Sequence, residues 1–463
     1  MTEQQTAATT QSELDATLAE RAQAAMARWH VPGAAVGVLA DGMRQEQGFG
    51  VVSLETGYPV RADTSFQIGS ITKLFTATLA MLLVEEGKLA LDTPIVTYLP
   101  EFKLADADAQ ARITLRMLLS HSSGFYGDLF DDTGMGDDAL SAYLKLLTKA
   151  AQQSAPGEVW AYNNAGFCLA GGLIERVTGM PYERVARERL FAPLGMTRSF
   201  FFAHEAIAYP HAIGHNQVTP GGDEHEVARL YPLPRSVNPA GGIISTVDDL
   251  LTFAQFQLDG GVTREGKRLL SEETIQAMWQ PQIKAANFAE SYGLGWDTRL
   301  LDGVRVIGHG GSTNGFNAHL TIIPERHYAI AALTNSGRGS VMIQEVAEAD
   351  ISQRFGLTTP KPQPTSLAPE ALAAFAGVYT RPDGKVILTA TDGGLRRQAI
   401  MRDLLNDKEE TYPPDDLRPI GATEFVVVTP GENLDTRSDF LLGDDGRPRY
   451  YRMGGRLAAR SEE

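Results

Sequence analysis

The chain contains one segment whose structure can be read directly from its pattern: SFQIGSITKLFTATLAMLLVEEG, residues 65–87. Mostly apolar side chains recur in this segment at spacings of three and four residues, which predicts a helix over residues 70–86. The positions that recur at helical spacing are Ile71, Leu74, Phe75, Thr78, Leu79, Leu82 and Leu83. Gly87 suits the position after the last turn, because glycine adopts a left-handed backbone conformation without strain. The segment therefore predicts a long apolar helix with a defined end.

Ser70 and Lys73 lie one turn apart at the start of this helix, on the same face. A serine hydroxyl is a weak nucleophile that needs a neighbouring base, and a lysine amine serves as that base when burial lowers its pKa. The backbone N–H of Ser70 also offers half of an oxyanion hole. A serine and a lysine at this spacing occur by chance in many chains. Alone, the pair favours an ordinary helix start with a solvated lysine.

Two further segments change that balance. PGEVWAYNNAGF, residues 156–167, carries Tyr162 and Asn164, which would point the same way on an extended loop. IGHGGSTNGF, residues 307–316, follows a predicted strand, and its glycines would let the strand edge approach a ligand, with the Ser312 N–H as a second oxyanion donor. In isolation each segment favours a structural explanation, namely a packed tyrosine or a glycine-rich turn with a surface histidine.

Along the chain the three elements are SxxK at 70–73, YxN at 162–164 and HxG at 309–311. With this ordered set the sequence resembles the serine β-lactamase and penicillin-binding-protein-like hydrolases, specifically the branch of class C β-lactamases, D,D-peptidases and esterases. The resemblance covers roughly residues 20–345. It also includes ITLRMLLSHSSGF (113–125), LFAPLGM (190–196) and NPAGGIISTVDDLLTFAQ (238–255).

The resemblance implies a role for each matched residue around the helix start. Ser70 would be the acylated nucleophile, Lys73 its base partner and Tyr162 the proton relay to the leaving group. Asn164 would orient Lys73 and the substrate amide. The implied reaction is acylation of the serine by an ester or amide, followed by hydrolysis with water. The resemblance implies no metal and no organic cofactor.

The strand-edge motif departs from the common family pattern. His309 stands where many β-lactamases have the lysine of KTG. Gly311 and Ser312 would form the strand edge. The N–H groups of Ser312 and Ser70 would form the oxyanion hole. Histidine is mostly neutral at pH 7, so a substrate carboxylate loses a constant positive anchor. Arg338 could replace that anchor, although a surface arginine is the commoner outcome. Strong β-lactamase activity is therefore not expected.

The function expected from these residues is a serine hydrolase that cleaves small esters or D-amino-acid amides and short peptides. Two alternatives stay open. One is a β-lactamase or penicillin-binding D,D-carboxypeptidase. The other is a non-catalytic relative that senses ligands or assembles through this scaffold.

Strand-like segments at both ends of the family-like region, with helices between them, predict an α+β fold: a β-lactamase/transpeptidase-like antiparallel sheet flanked by helices, plus a helical subdomain. We expect a flexible tail over residues 1–11 and the catalytic domain over 12–357. TTPKPQPTS, residues 358–366, predicts a stiff linker. Short β-type segments over 367–463 predict a small all-β antiparallel barrel. Through LAAFAGVY (372–379) it resembles the lipocalin-like barrel appended to some of these hydrolases.

Composition excludes several classes of partner. Lys and Arg number 41 and Asp and Glu number 57, which gives a net charge of −16. This charge repels phosphate backbones and anionic lipid, so neither nucleic acid nor a membrane surface is an expected partner. No apolar run approaches ~20 residues, so no transmembrane helix is expected. The polar N-terminus lacks the pattern of a secretory signal, which favours a cytoplasmic location. The appended barrel offers a surface for a homo-oligomer.

The remaining reactive side chains favour structural roles. Cys168 is the single cysteine, which excludes a multi-cysteine metal site, and its small apolar surroundings predict a buried thiol. His211 and His215 lie four residues apart, but they follow Pro210 in a segment without helical pattern. That favours structural or surface histidines over a metal site. The acidic, glycine-bearing segment 125–138 predicts a surface loop that borders the substrate pocket.

Overall fold

The computed structural model describes residues 11–12, 14–231, 233–286, 288–403 and 408–461. The predicted flexible tail lies outside these ranges except for its last residue, Gln11, which lies in a short strand. Within the described ranges, no helix is both long enough and apolar enough to cross a membrane.

The structure has fourteen α-helical segments within the described ranges. In chain order they are α1 (Ala16–Trp29), α2 (Thr72–Glu85), α3 (Ala107–Arg112), α4 (Leu115–Leu119), α5 (Ala139–Leu146), α6 (Asn164–Thr178), α7 (Tyr182–Ala186), α8 (Ala192–Leu194), α9 (Ala203–Ala206), α10 (Asn238–Gly241), α11 (Val247–Leu258), α12 (Glu272–Trp279), α13 (Gly339–Phe355) and α14 (Pro369–Phe375).

The described ranges also contain twenty-one strands. In chain order they are β1 (Gln11–Ser12), β2 (Gly33–Ala40), β3 (Met43–Gly50), β4 (Phe66–Gln67), β5 (His215–Gln217), β6 (His225–Val227), β7 (Ile244–Ser245), β8 (Ser291–Tyr292), β9 (Asp297–Leu301), β10 (Val304–Thr313), β11 (Phe316–Ile323), β12 (Tyr328–Thr334), β13 (Gly377–Arg381), β14 (Gly384–Thr391), β15 (Gly394–Asp403), β16 (Lys408–Thr411), β17 (Asp415–Pro419), β18 (Glu424–Val427), β19 (Arg437–Leu442), β20 (Pro448–Met453) and β21 (Arg456–Arg460).

The first part of the chain is built on an eight-stranded sheet in the order β1-β3-β2-β12-β11-β10-β9-β8. Neighbouring strands are antiparallel, except that β1 runs parallel to β3. Strands from both ends of this region pair in the centre, where β2 lies beside β12. The predicted antiparallel sheet with flanking helices is confirmed.

Both faces of the central strands are covered by helices. On β2, Val36 and Val38 pack with α1 and α13 on one face, while Ala35 and Leu39 pack with the core that contains α2 and α11 on the other. Successive side chains of a strand point to opposite faces, so a strand covered on both sides is apolar at nearly every position. This explains why β12, with the sequence YAIAALT, is buried throughout.

The long apolar helix begins slightly later than the sequence pattern predicts. Gly69–Ile71 forms one 3₁₀ turn, and α2 then runs over Thr72–Glu85. Gly87 follows with a φ of +71°, as expected of a glycine after a helix end. Because α2 packs against α6, α7 and α10, nearly all of its side chains are buried. The 3₁₀ turn places Ser70 at the mouth of this core.

The last part of the chain is a closed barrel. Its eight strands follow the order β14-β13-β21-β20-β19-β18-β17-β15, and pairing of β15 with β14 closes the ring. β16 adds to the outer side of this ring through β15. Aromatic rings of Phe375, Tyr379, Phe425, Phe440 and Tyr451 fill the interior. The predicted small antiparallel barrel is therefore confirmed.

The barrel docks on the first domain through the hairpin of β20 and β21. Arg452 donates to the carbonyl of Trp160 at 2.7 Å, and the backbone N–H of Tyr162 donates to the carbonyl of Gly455 at 2.8 Å. Tyr450 donates its hydroxyl to the carbonyl of Gln153 at 2.6 Å. These contacts bring the turn of the hairpin beside Tyr162.

Candidate active site

Lys73 lies at the centre of the site. Its Nζ atom donates to Oγ of Ser70 at 3.0 Å, to Oδ1 of Asn164 at 2.7 Å and to the carbonyl oxygen of Ala240 at 2.6 Å. The side chain is fully buried. Three donations require the ammonium form, which has three N–H groups. After loss of one proton, the neutral amine keeps two N–H donors for the oxygens of Asn164 and Ala240, and its lone pair can face Ser70.

Burial lowers the pKa of Lys73 from 10.5 to about 7. The nearby Arg456 guanidinium lowers it further, whereas Cys168 and Asp128 act in the opposite direction. The cause is that a buried ammonium loses its hydration, which favours the neutral amine. A base with a pKa near 7 is uncharged in a large fraction of molecules at neutral pH, so Lys73 can accept a proton from Ser70.

Tyr162 faces the same hydroxyl. The Ser70 hydroxyl is near enough to lower the pKa of the Tyr162 phenol, but burial outweighs this effect and raises that pKa above its ordinary value of 10. The ring packs against the buried imidazole of His121, with 4.2 Å between ring centroids. A phenol with a raised pKa keeps its proton at neutral pH. Tyr162 is therefore suited to passing a proton on rather than to acting as the first base.

Asn164 differs in its setting from the sequence expectation of an extended loop. Asn163 caps α6 by accepting from the N–H of Gly166, and Asn164 is the first residue of that helix. The amide of Asn164 still reaches the site, because it accepts from Lys73 and donates through Nδ2 to Oδ1 of Asp128 at 2.7 Å. Tyr162 and Asn164 thus contact the Ser70–Lys73 pair from a loop end and a helix start.

The strand β10 approaches the turn that carries Ser70. A Cβ atom on Gly311 would overlap the carbonyl oxygen of Ile68 and lie 3.0 Å from the backbone nitrogen of Ser70. Gly69 has a φ of +50°, and a Cβ there would lie 2.7 Å from the backbone nitrogen of Ser312. Glycine at both positions permits this close approach, which brings the N–H groups of Ser70 and Ser312 together.

His309 lines the same cavity as a neutral side chain. Burial, together with the charge of Lys73, lowers the pKa of His309 to about 3. Its Nδ1 atom contacts the carbonyl of Gly310, and its buried Nε2 atom has no hydrogen-bond partner among the described residues. The imidazole therefore supplies no positive charge to a substrate carboxylate at neutral pH.

The cavity around Ser70 has a volume of about 940 Å³. As the sequence led us to expect, segment 125–138 contributes to its wall through Asp128 and Phe130. Residues 125–128 of this segment are buried, so the expectation of a surface loop holds only for the residues after them. Several barrel residues also line the cavity, among them Arg381, Asp383, Met401, Arg402, Arg437 and Arg456.

Arg456 is a site residue that the sequence pattern does not reveal. It follows the glycine turn between β20 and β21, and its guanidinium lies over the ring of Tyr162, 4.5 Å from the centroid. Its Nε atom donates to Oδ2 of Asp128 at 3.0 Å. No motif marks this arginine, since its position depends on how the barrel docks.

Three further residues considered in the sequence have structural roles. Arg338 is neither a surface arginine nor a replacement anchor. It is buried, and it pairs with Asp223 and Glu432, each at 2.6 Å. His215 is held by the backbone, since its Nε2 accepts from Leu54 N and its Nδ1 contacts the carbonyl of Asn335. Cys168 is fully buried in α6, as predicted.

Comparison with known proteins identifies relatives along most of the chain. A sequence profile of the family described as Beta-lactamase matches residues 18–353. Penicillin-binding protein 4 of Amycolatopsis lactamdurans is 35% identical over 372 residues, which span 79% of this chain and 97% of that protein. Unguisins hydrolase ungD′ of Aspergillus campestris is 26% identical over 94% of this chain and 88% of its own length.

A solved structure extends the similarity to the barrel. The crystal structure of SurE with D-Leu superposes with a TM-score of 0.75 at 26% identity. The match spans 96% of this chain and 99% of that chain. The two-part architecture is therefore shared, and it is not confined to the region of the three motifs.

Proposed function

Because the chain belongs to the β-lactamase family, whose members are serine hydrolases, we propose that it hydrolyses small esters or D-amino-acid amides and short peptides. Ser70 carries the acyl group during the reaction. The D-leucine named in the SurE structure supports a site that accepts D-amino-acid groups. The similarity to a hydrolase over nearly the whole chain supports turnover with water.

One observation carries this proposal. The Nζ atom of Lys73 is 3.0 Å from the Oγ atom of Ser70, and burial places the pKa of that amine at about 7. A nucleophile and a base within hydrogen-bond reach form the minimal unit of covalent acyl transfer.

The acylation step can be written from these groups. Neutral Lys73 takes the proton of the Ser70 hydroxyl while the serine oxygen bonds to the substrate carbonyl carbon. The N–H groups of Ser70 and Ser312 stabilise the developing oxyanion. Tyr162 then gives its proton to the leaving alcohol or amine and takes the proton held by Lys73, as the carbonyl–leaving-group bond breaks. Lys73 is thereby neutral again for the second step. Water attacks the resulting ester in a second, equivalent step, which releases the acid and frees the serine.

The neutral state of His309 bears on the choice of substrate. A β-lactam and a peptide C-terminus each present a carboxylate, and neutral imidazole gives such a group no charge attraction. We therefore rank β-lactam hydrolysis and D,D-carboxypeptidase activity below ester and amide hydrolysis. A non-catalytic assembly protein ranks lower still, because it would not require Lys73 and Tyr162 to stay arranged around Ser70. A sensor that is acylated but not deacylated also ranks lower, because the similarity to a hydrolase over nearly the whole chain supports turnover.

The test is turnover by the intact protein on p-nitrophenyl esters, D-amino-acid p-nitroanilides and nitrocefin, with intact mass measured after each. We expect turnover that vanishes in Ser70→Ala. Ser122→Ala is the matched control, since it removes a buried hydroxyl that pairs with Ser120 instead of Lys73. A Ser70-dependent adduct without turnover would support a sensor. If the protein shows no turnover and forms no Ser70-dependent adduct, the proposal is overturned.

Two sequence expectations stay predictions. A homo-oligomer is tested by light scattering on the full chain across a concentration series. The cytoplasmic location is tested by fractionation of the source cells.

A further inference from the structure

A continuous set of polar contacts joins the barrel to Lys73. Arg456 of β21 donates to Asp128, whose other oxygen accepts from the amide of Asn164, which in turn accepts from Lys73. Arg381 of β13 also pairs with Asp128 at 3.5 Å. Asp128 is 6% exposed, so this carboxylate depends on the two arginines for its charge balance.

We propose that Asp128 and Arg456 are positioning residues for the reaction, acting as an ion pair between the two domains that orients Asn164 and balances the charge around Lys73. The proposal rests on the proposed function, in which Lys73 is the base for Ser70. It makes the barrel a working part of the active site rather than an appended module.

Asp128 sets the orientation of the Asn164 amide. An amide has one acceptor end and one donor end, and only the acceptor end can receive an N–H of Lys73. Asp128 is an acceptor when ionised, so it binds the Nδ2 end and directs Oδ1 towards the lysine. Although burial opposes the charge of Asp128, Arg456 and Arg381 hold its pKa below the ordinary value. The ion pair thus keeps Asp128 in the acceptor form.

Titratable groups on several elements face Lys73. Two of them are charged, Asp128 in the loop before α5 and Arg456 in β21, whereas the thiol of Cys168 in α6 and the rings of His121, Tyr162 and His309 are neutral. Of these, Asp128 favours the ammonium form of Lys73, whereas Arg456 favours the neutral amine. Because the two charges oppose one another, removing either one changes the ionisation of Lys73 in a defined direction.

The glycine turn between β20 and β21 places Arg456. The turn before it contains Gly454 and Gly455, with φ values of +56° and +78°. A Cβ on Gly455 would lie 2.7 Å from the ring of Trp160 and 3.0 Å from Cβ of Tyr162. The turn therefore fits closely against the loop that carries Tyr162, and this contact fixes the direction in which Arg456 enters the site.

The experiment is the pH dependence of kcat/KM for the best substrate, measured on full-length wild type, Asp128→Asn, Arg456→Gln and the double variant. Neutral Lys73 is the active form, so kcat/KM falls as the pH drops through the pKa of this group. We expect the acidic limb of the profile to move down by about one pH unit in Asp128→Asn and up by about one unit in Arg456→Gln. In the double variant it should return close to the wild-type position.

Two control variants separate charge from docking. Arg456→Lys keeps the positive charge, and it should keep the wild-type limb while raising KM or lowering kcat through the lost two-point contact with Asp128. Tyr450→Phe removes a different docking contact, the hydrogen bond to the carbonyl of Gln153, and should leave the limb in place. Equal shifts in Tyr450→Phe and Arg456→Gln would overturn the inference. Shifts of the same sign in Asp128→Asn and Arg456→Gln would also overturn it.

A second measurement does not depend on finding a good substrate. A fluorophosphonate phosphonylates the serine: the serine oxygen bonds to phosphorus, fluoride leaves and the hydroxyl proton passes to the base. Intact mass follows the rate of this reaction at each pH. The same opposed shifts are expected in this rate, and labelling must vanish in Ser70→Ala. Absence of Ser70-dependent labelling would count against the proposed function. Labelling with an unshifted limb in both variants would count against the ion pair alone.

Discussion

Gly311 lies so close to Ile68 that any side chain at position 311 would overlap the Ile68 carbonyl oxygen. This contact holds β10 against the turn of Ser70, so it also sets where the Ser312 N–H lies. Position 311 therefore has no room for a side chain.

Gly311→Ala should lower kcat by at least about 100-fold, because the added methyl group pushes the Ser312 N–H away from the oxyanion position. Gly310→Ala is the matched control. A Cβ there would lie 3.4 Å from the ring of His319 and 3.9 Å from the carbonyl oxygen of Ala318, which are ordinary contact distances. Steady-state kinetics with a p-nitrophenyl ester measures both. Equal losses in the two variants would contradict the assignment of Ser312.

The activity should rise with pH through about 7. Burial lowers the pKa of Lys73 to about 7, and the deprotonated amine is the form that accepts the serine proton. Well below this pH, kcat/KM should fall about tenfold per unit, since each unit removes a factor of ten of neutral amine. Lys73→Met should reduce kcat by about 100-fold to 10,000-fold. Lys145→Met, at an exposed position, is the control. If the fall of kcat/KM at low pH persists in Lys73→Met, Lys73 is not the group that causes it.

His309 should stay neutral from pH 5 to pH 8. Burial and the charge of Lys73 lower the pKa of His309 to about 3, so its ring carbons should not titrate in this range. NMR on the protein with ¹³C-labelled histidine measures this directly, and the signal is assigned by its loss in His309→Gln. The urea-unfolded chain, in which histidines titrate near 6.5, is the reference. Titration of His309 between pH 5 and 8 would restore the possibility of a charged carboxylate anchor.

The two turn glycines of the barrel should respond differently to alanine. Both have positive φ values, so each substitution costs about 1–2 kcal/mol of stability through backbone strain. Gly454 has open space around its Cβ direction, whereas a Cβ on Gly455 would meet Trp160 and Tyr162. Gly455→Ala should therefore lose activity as well, by about tenfold or more, because it displaces Tyr162. Steady-state kinetics and thermal unfolding measure the activity and stability of both variants. Equal activity in the two variants would show that the turn does not affect the active site.

Cys168 should be unreactive in the folded protein. It is fully buried, and burial raises the pKa of its thiol to about 12, so almost no thiolate forms at pH 8. Ellman's reagent should find no thiol in the native chain and one after unfolding. Incubation with iodoacetamide should leave the ester hydrolysis rate unchanged. Loss of activity on alkylation would reopen a role for this residue near Lys73.

Local patterns in the sequence predicted much of the architecture. The periodicity of residues 70–86 predicts α2, and the alternation of short β-type segments after residue 366 predicts a small barrel, which the structure has. Both patterns reflect burial of one set of side chains within a single element, which neighbouring residues reveal. The boundary error at α2 arises because the 3₁₀ turn at Gly69–Ile71 has the same side-chain spacing signals as the helix that follows.

The residues of the barrel side of the site could not be found in this way. Asp128 lies in an acidic segment whose composition favours solvent, yet it is buried and paired with Arg381 and Arg456 of the barrel. Arg338 shows the converse error. It follows a predicted strand close to the site in sequence, but Asp223 and Glu432 hold it elsewhere. Ion pairs between distant segments leave no periodic signal in either one.

The sequence by itself determined the family, the α+β fold with its barrel, and the identity of Ser70, Lys73 and Tyr162 as candidates, because one ordered set of motifs carries them. Only the tertiary structure decided the electrostatic state of the site. The pKa of Lys73 and the neutrality of His309 follow from burial, which depends on the whole packed core. The entry of Arg456 depends on how two domains dock, and docking is a property of surfaces assembled from many segments of the chain.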